Sequence, residues 1–153
     1  ALYPDGKARI NEWFLFPEDS DDYYYAQSNG RLAKNKWVAA GSDWYYLGSD
    51  CIMARDEWVD GRDYYVDEDG VMLIGWHQLR YPGISGRNYF YLNDPNDFDV
   101  SGFDTGQKVT NSWVASGSSW YYLKATGIMA KNETLTIGGT SYSFDANGAC
   151  MNP

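Results

Sequence analysis

The sequence has little of what most enzymes and most disulfide scaffolds need. Its 153 residues include one histidine, His77, so paired-histidine catalysis is excluded. They include two cysteines, Cys51 and Cys150, far apart in the chain, which read as unpaired small residues rather than a disulfide framework. Basic residues are scarce: 12 Lys and Arg face 21 Asp and Glu, a net charge of −9. That balance argues against nucleic acid, whose phosphates need a basic face, and against an anionic membrane surface. No apolar run approaches the ~18 residues that read as a transmembrane helix, so no membrane insertion is expected. The first residues do not read as a signal peptide.

Aromatic residues are abundant instead. Seven Trp, 14 Tyr and 6 Phe make up 18% of the chain. Tyr and Trp carry a polar end that wants water or a partner, so many of these rings should be partly exposed. Sixteen Gly imply many tight turns. Together these features predict a soluble, turn-rich, all-β protein.

The rings recur. Residues 37–57, WVAAGSDWYYLGSDCIMARDE, align without a gap on 113–133, WVASGSSWYYLKATGIMAKNE, with thirteen of twenty-one positions identical. Residues 22–37 align in the same way on 43–58, and 63–76 fit with one residue fewer after the Met. Residues 134–151 fit as a last copy, with Thr134 and Ser141 where Trp would stand. The fourth copy keeps NYFYL at 88–92 but is expanded before Trp113. Six units follow, at about 13–36, 37–57, 58–75, 76–112, 113–133 and 134–153, with 1–12 as an end segment, all in a single repeat domain.

Each unit has a β-prone aromatic run such as WYYL, then a turn (SNG, DEDG or ANG), then a second apolar run carrying Met or Leu. Asn-Gly and Asp-Gly suit tight hairpin turns, so each unit is expected to fold as a hairpin about that turn. The segments before the aromatic run (AGSDW, SGSSW) read as connectors to the next hairpin. No window has capped helical periodicity. A lone hairpin is barely stable in water, so neighbours must cover it. The expected fold is a solenoid of about six stacked β-hairpins.

The phrase W-x6-W-Y-Y-L-x5-M, at Trp37 to Met53 and again at Trp113 to Met129, resembles the bacterial cell-wall-binding repeats of choline-binding modules. The closing TIGGTSYSFDANG is similar to related glucan-binding and clostridial-toxin carbohydrate-binding repeats. The resemblance implies shallow aromatic pockets between consecutive hairpins. Two Trp come from one hairpin, and a Tyr and often a Met come from the next. It places one pocket at Trp37, Trp44 and Tyr64 with Met72, and a second at Trp113, Trp120 and Tyr142, with Cys150 where Met usually falls. Less complete sets are Trp13, Tyr23, Tyr45 and Trp76, Tyr89, Tyr121. At the remaining interface Trp58 lacks a second Trp, because Asp63 replaces it, and Phe90 stands at the Tyr position. That pocket is expected to be altered or dead.

A quaternary ammonium has no N–H to donate, so ring faces must recognise it, each offering ~0.5–2 kcal/mol. Sugars also stack on rings but need polar partners beside them. The resemblance implies a non-catalytic module at a Gram-positive cell surface, secreted or wall-attached. Its partner would be teichoic-acid choline or a wall polysaccharide, with catalysis left to a separate module. Glucan or host-glycan binding is the alternative, and a structural spacer or protein-interaction stalk is the third reading. Paired Trp in two units favour binding over a spacer.

The remaining features read as structure. Met53, Met72 and Met129 are expected to pack more than to bind. Cys51 occupies a turn position that is Gly127 in the sister unit. Asp94, Asn96, Asp97 and Asp99 offer hard oxygen ligands of the kind calcium takes, without the spacing of an EF-hand, and the insertion reads as a solvated acidic loop. No cofactor is expected.

Overall fold

The computed structural model describes residues 6–153. Among them no helix occurs, and twelve strands pair as six antiparallel hairpins. The chain divides into two compact units, Ala1–Leu73 and Ile74–Pro153. The first holds β1 (Glu12–Leu15) with β2 (Tyr23–Ala26), β3 (Lys36–Ala40) with β4 (Asp43–Leu47), and β5 (Glu57–Val59) with β6 (Tyr64–Val66). The second holds β7 (Gly75–Tyr81) with β8 (Ile84–Leu92), β9 (Ser112–Ser116) with β10 (Ser119–Leu123), and β11 (Glu133–Ile137) with β12 (Thr140–Phe144).

The hairpins are not centred where the turn motifs suggest. The ladder runs across the segment that reads as a connector: Trp37 faces Tyr46, Val38 faces Tyr45 and Ala39 faces Trp44 about Gly41 and Ser42. The turns after the aromatic runs, at 48–51, 67–70, 124–127 and 145–148, instead close a single bridge each, Leu47↔Met53, Val66↔Met72, Leu123↔Met129 and Phe144↔Cys150. Side-chain caps hold these turns. Asp67 Oδ1 accepts from the amides of Asp69 and Val71, and Asp145 Oδ1 from those of Asn147 and Ala149, each at 2.9 Å.

The Met-bearing run makes only one bridge because its amides point two ways. Met53 N–H donates to the Tyr23 carbonyl of the preceding hairpin at 2.8 Å, and Met72 N–H to the Trp44 carbonyl at 2.9 Å. The residue after it turns back: Ala54 N–H donates to Tyr46 of its own hairpin at 2.8 Å. The second unit repeats the device, with Met129 N–H to Tyr89, Cys150 N–H to Trp120 and Ala130 N–H to Tyr122. Within each unit the hairpins are therefore stacked and stapled by backbone hydrogen bonds. This meets the all-β, stacked-hairpin expectation while relocating the turn.

The residue that ends the second strand of every hairpin is buried: Ala26, Leu47, Val66, Leu92, Leu123 and Phe144. Burying the larger of these side chains contributes roughly 1.5–3 kcal/mol each. Gly127 stands at φ 91°, and a Cβ there would lie 2.8 Å from Lys108 Cδ and 3.2 Å from Phe90 Cδ2. Its counterpart Cys51 tolerates the left-handed region at φ 68°. Both cysteines are free thiols.

The insertion in the fourth repeat departs from the solvated loop expected. It lies between Leu92 and Lys108, which form the bridge that Leu47 and Met53 form elsewhere. Asn93, fully buried, ties it together. Its Nδ2 donates to Asp99 Oδ1 and to the Phe103 carbonyl, both at 3.0 Å, and its Oδ1 accepts from Val100 N–H at 2.9 Å. Val100 is buried, and Phe98 and Phe103 pack on the core of Tyr91, Val109, Val114, Leu123 and Met129. The expanded loop thus carries a small core of its own, because its apolar residues alternate with its acids.

Tyr91 is buried with its hydroxyl on the Phe98 carbonyl at 2.8 Å. Burial pushes its pKa above the ordinary value, opposed by backbone hydrogen bonding at Phe98, whose N–H donates to the hydroxyl, and at Asp94, and assisted by the Asp97 and Asp94 carboxylates. The unfolded chain therefore loses this proton first, near pH ~10. Stability is in full below that pH and falls as pH rises through the folded value. Tyr91→Phe is expected to flatten that decline in thermal melts taken from about pH 9 to about pH 11. An unchanged alkaline slope would contradict the assignment.

Candidate functional site

The sequence-predicted aromatic sets converge within the two units. In the second, Trp113 of β9 and Trp120 of β10 meet Tyr142 of β12, and with Pro153 they line a cavity of about 320 Å3. Trp113 and Tyr142 stand edge to face, centroids 4.8 Å apart at 74°. Trp113 also packs on Tyr122 and Phe144, at 5.1 and 5.8 Å. Trp120 leans outward and is 39% exposed. One ring is thus held by core packing and another offers its face. Cys150 takes the backbone role of the missing Met and is buried, while Pro153 completes the lining. Pro153 lies past the last repeat residue, so no repeat pattern announces it.

In the first unit the corresponding residues meet in two pairs, Trp37 with Tyr64 and Trp44 with Met72. Trp37 meets Tyr64 edge to face at 5.3 Å and 71°, and Tyr46 at 5.0 Å. Its indole N–H donates to Asp60 Oδ2 at 3.0 Å. Trp44 is 47% exposed, and Met72 is brought beside it by the backbone bond to its carbonyl.

The two less complete sets line larger cavities. Trp13, Tyr23 and Tyr45 surround about 480 Å3 together with Asp21, Ala40, Met53, Arg55 and Asp69. Trp13 meets Tyr45 at 5.5 Å and 70°. Burial, and then the Asp43, Asp67 and Asp69 carboxylates, push the Tyr45 hydroxyl above its ordinary pKa, so the ring stays neutral in a negative surrounding. Trp76, Tyr89 and Tyr121 surround about 450 Å3 with Met129, Lys131 and the polar Gln78, Ser116 and Asn147. Trp76 meets Tyr121 at 5.5 Å. Met53 and Met129 are buried and also line these cavities, where the sequence reading expects them to pack more than to bind.

The residues of the fifth set are divided between the units, Trp58 and Asp63 in the first and Phe90 in the second. Trp58 packs on Tyr65 at 5.2 Å, Asp63 is exposed, and Phe90 is buried against Tyr81 at 5.8 Å. In the insertion, Asp94 Oδ1 caps Asn96 N–H and Asp99 Oδ1 holds Asn93. Among the described residues no three His, Cys, Asp or Glu side chains gather closely enough to hold a metal ion.

Family comparison matches residues 32–72 to the choline-binding repeat and residues 111–129 to the cell wall binding repeat. Among solved structures, the chain is 30% identical to the choline-binding domain of CbpL from Streptococcus pneumoniae, over 97% of this chain and 80% of that one, with a TM-score of 0.56. It is 28% identical to choline binding protein F of the same organism, over 99% of this chain and 43% of that one, TM-score 0.64. The modular autolysin LytC of that organism, in complex with a synthetic peptidoglycan ligand, matches at 26% identity over 99% of this chain and 35% of that one, TM-score 0.63. The chain therefore spans less than half the length of the latter two. No curated protein sequence matches at a significant level.

Proposed function

The chain belongs to the choline-binding family of cell-wall-binding repeats, and on that premise we propose that it is a non-catalytic anchoring module whose aromatic cages hold the quaternary ammonium of wall-borne choline. The observation that carries this reading is the cavity of Trp113, Trp120, Tyr142 and Pro153. Three rings surround a space lined by no charged side chain and no amide. A saccharide would find few hydrogen-bond partners there, whereas a quaternary ammonium needs none and gains from each ring face. We place a second cage at Trp37, Trp44, Tyr64 and Met72, supported by the Trp37–Tyr64 ring contact and differing in the Asp60 carboxylate on the Trp37 indole N–H.

Single cages of this sort bind weakly. Several on one chain facing a polymer with many ligands raise avidity by roughly 10²–10⁴ where geometry allows. Neither His77 nor Cys150 is placed for nucleophile–base work. The imidazole Nε2 of His77 sits 2.8 Å from the Ile74 carbonyl, and Cys150 is buried beside Asn152. The cell surface is the setting that family membership supports.

One observation favours a saccharide, at a different place. Gln78, Ser116, Lys131 and Asn147 ring the Trp76, Tyr89 and Tyr121 floor with the hydrogen-bonding groups a sugar requires. The test is a choline chloride titration followed by tryptophan fluorescence and melting temperature, against sodium chloride of equal ionic strength. Saturable, choline-specific stabilisation of about 2.7 kcal/mol is expected at a hundredfold excess over Kd. A flat response to about 100 mM, with a positive one to glucan or wall glycan, would move the assignment to saccharide; silence to both would leave the spacer reading.

A further inference from the structure

The cavity of Trp13, Tyr23 and Tyr45 already faces a cation, and the cation is the chain's own. The Arg55 guanidinium carbon lies 5.6 Å from the Tyr23 ring centroid, within cation–π range. Its Nη2 donates to the Asp21 carbonyl. Arg55, Asp21 and Tyr23 line this cavity together with Trp13, Tyr45, Met53 and Asp69. The guanidinium is thus anchored at one end of the site by a backbone acceptor and laid on one of its three ring faces.

We propose that Arg55 is an internal occupant of this cage, holding the ring face that a ligand cation would need and closing the cavity to choline-type cations. The proposal rests on the reading that exposed rings in this protein take quaternary ammonium. Three physical points support it. A tethered group competes at an effective concentration on the order of mM or more, which matches or exceeds the strength of a single shallow cage. A ligand cation beside the guanidinium would meet like charge in a partly desolvated space. Finally, the rest of the lining suits a cation: Asp21 and Asp69 supply two carboxylates, and Arg55 offsets one. Without Arg55, three rings and two uncompensated acids remain.

The second unit supplies an internal comparison. Lys131 holds the repeat position of Arg55, and Asn147 that of Asp69 in the Asp-x-x-Gly turn. There the polar lining is Gln78, Ser116 and Asn147 with the cationic Lys131, and it holds no carboxylate. The same repeat therefore builds one cavity in which two carboxylates accompany the tethered cation, and one in which a lysine stands among neutral polar groups with no carboxylate. The repeat pattern gives no hint of this, because Arg55 lies in the next repeat from Tyr23.

The experiment is a choline titration watched through the indole N–H signals of the seven Trp in a ¹⁵N-labelled full chain. In the wild type, Trp13 is expected to hold still while Trp113 and Trp120 shift. In Arg55→Gln, Trp13 should shift saturably over the choline range in which the wild-type Trp13 signal holds still, and Tyr45→Ala added to that variant should abolish the shift. Arg55→Lys, which keeps a tethered cation, should leave Trp13 still. Dispersion of the indole signals reports that each variant is folded. A Trp13 midpoint equal in wild type and Arg55→Gln, with Trp113 responding in both, would overturn the plug and leave the cage reading intact. Silence at Trp113 and Trp120 would count against the cage reading, and Trp13 in Arg55→Gln would still decide the plug on its own.

Discussion

Trp120→Ala is expected to remove choline binding from the second unit's apolar cage while leaving the fold in place. Trp120 is exposed and gives the cage one open face. Losing a face worth about 0.5–2 kcal/mol weakens binding roughly 2- to 30-fold, beyond detection for a shallow site. The Trp120 carbonyl still accepts the Cys150 amide, since alanine keeps the backbone. The melting temperature should therefore move by no more than about 3 °C. Trp113→Ala is the contrasting variant. Trp113 is packed by Tyr122, Tyr142 and Phe144 at once. Truncation should cost about 3 kcal/mol of stability and the binding as well. Calorimetric titration and thermal melts of both variants check this. Wild-type affinity in Trp120→Ala would remove that ring from the site.

Asn93→Ala is expected to give the largest loss of stability among polar substitutions. The variant strands the buried Val100 amide and the Phe103 carbonyl, and frees Asp99. Each buried group left without a partner costs roughly 1–3 kcal/mol, so a loss of about 3 kcal/mol is expected in urea unfolding. The Asn93 backbone, bonded to Gln107 and Gly106, stays paired, so the damage is confined to the side chain. A loss below about 0.5 kcal/mol would mean that the insertion is held by Phe98, Phe103 and Val100 alone.

These two positions differ in how readable they were. Trp120 was visible because W-x6-W-Y-Y-L occurs twice and binding rings must recur where the geometry recurs. Asn93 was visible only as one polar residue in an acidic stretch. Its role depends on acceptors and donors six to ten residues ahead, and nothing in local pattern separates a solvated Asn from one that organises a loop. The hairpin turn was misplaced for a related reason. Asp-x-x-Gly is a strong turn signal, and a turn does form there, but the run after it gives one amide to the preceding hairpin and the next to its own, so no ladder grows from that turn. Pairing partners are a long-range property, and turn chemistry is a local one.

By itself the sequence determined the number of hairpins, their all-β character and the rings that line the cavities, because each follows from a residue type recurring at a fixed place in the repeat. Only the tertiary structure decided which strands form the ladders, that Met53 and Met129 staple one hairpin to the previous one, and that Arg55 lies on Tyr23. Those outcomes turn on where a backbone amide or a guanidinium finds its acceptor in a neighbouring repeat. Hydrogen-bond partners are chosen by distance in space after stacking, and that distance is not written in the spacing of residues along the chain.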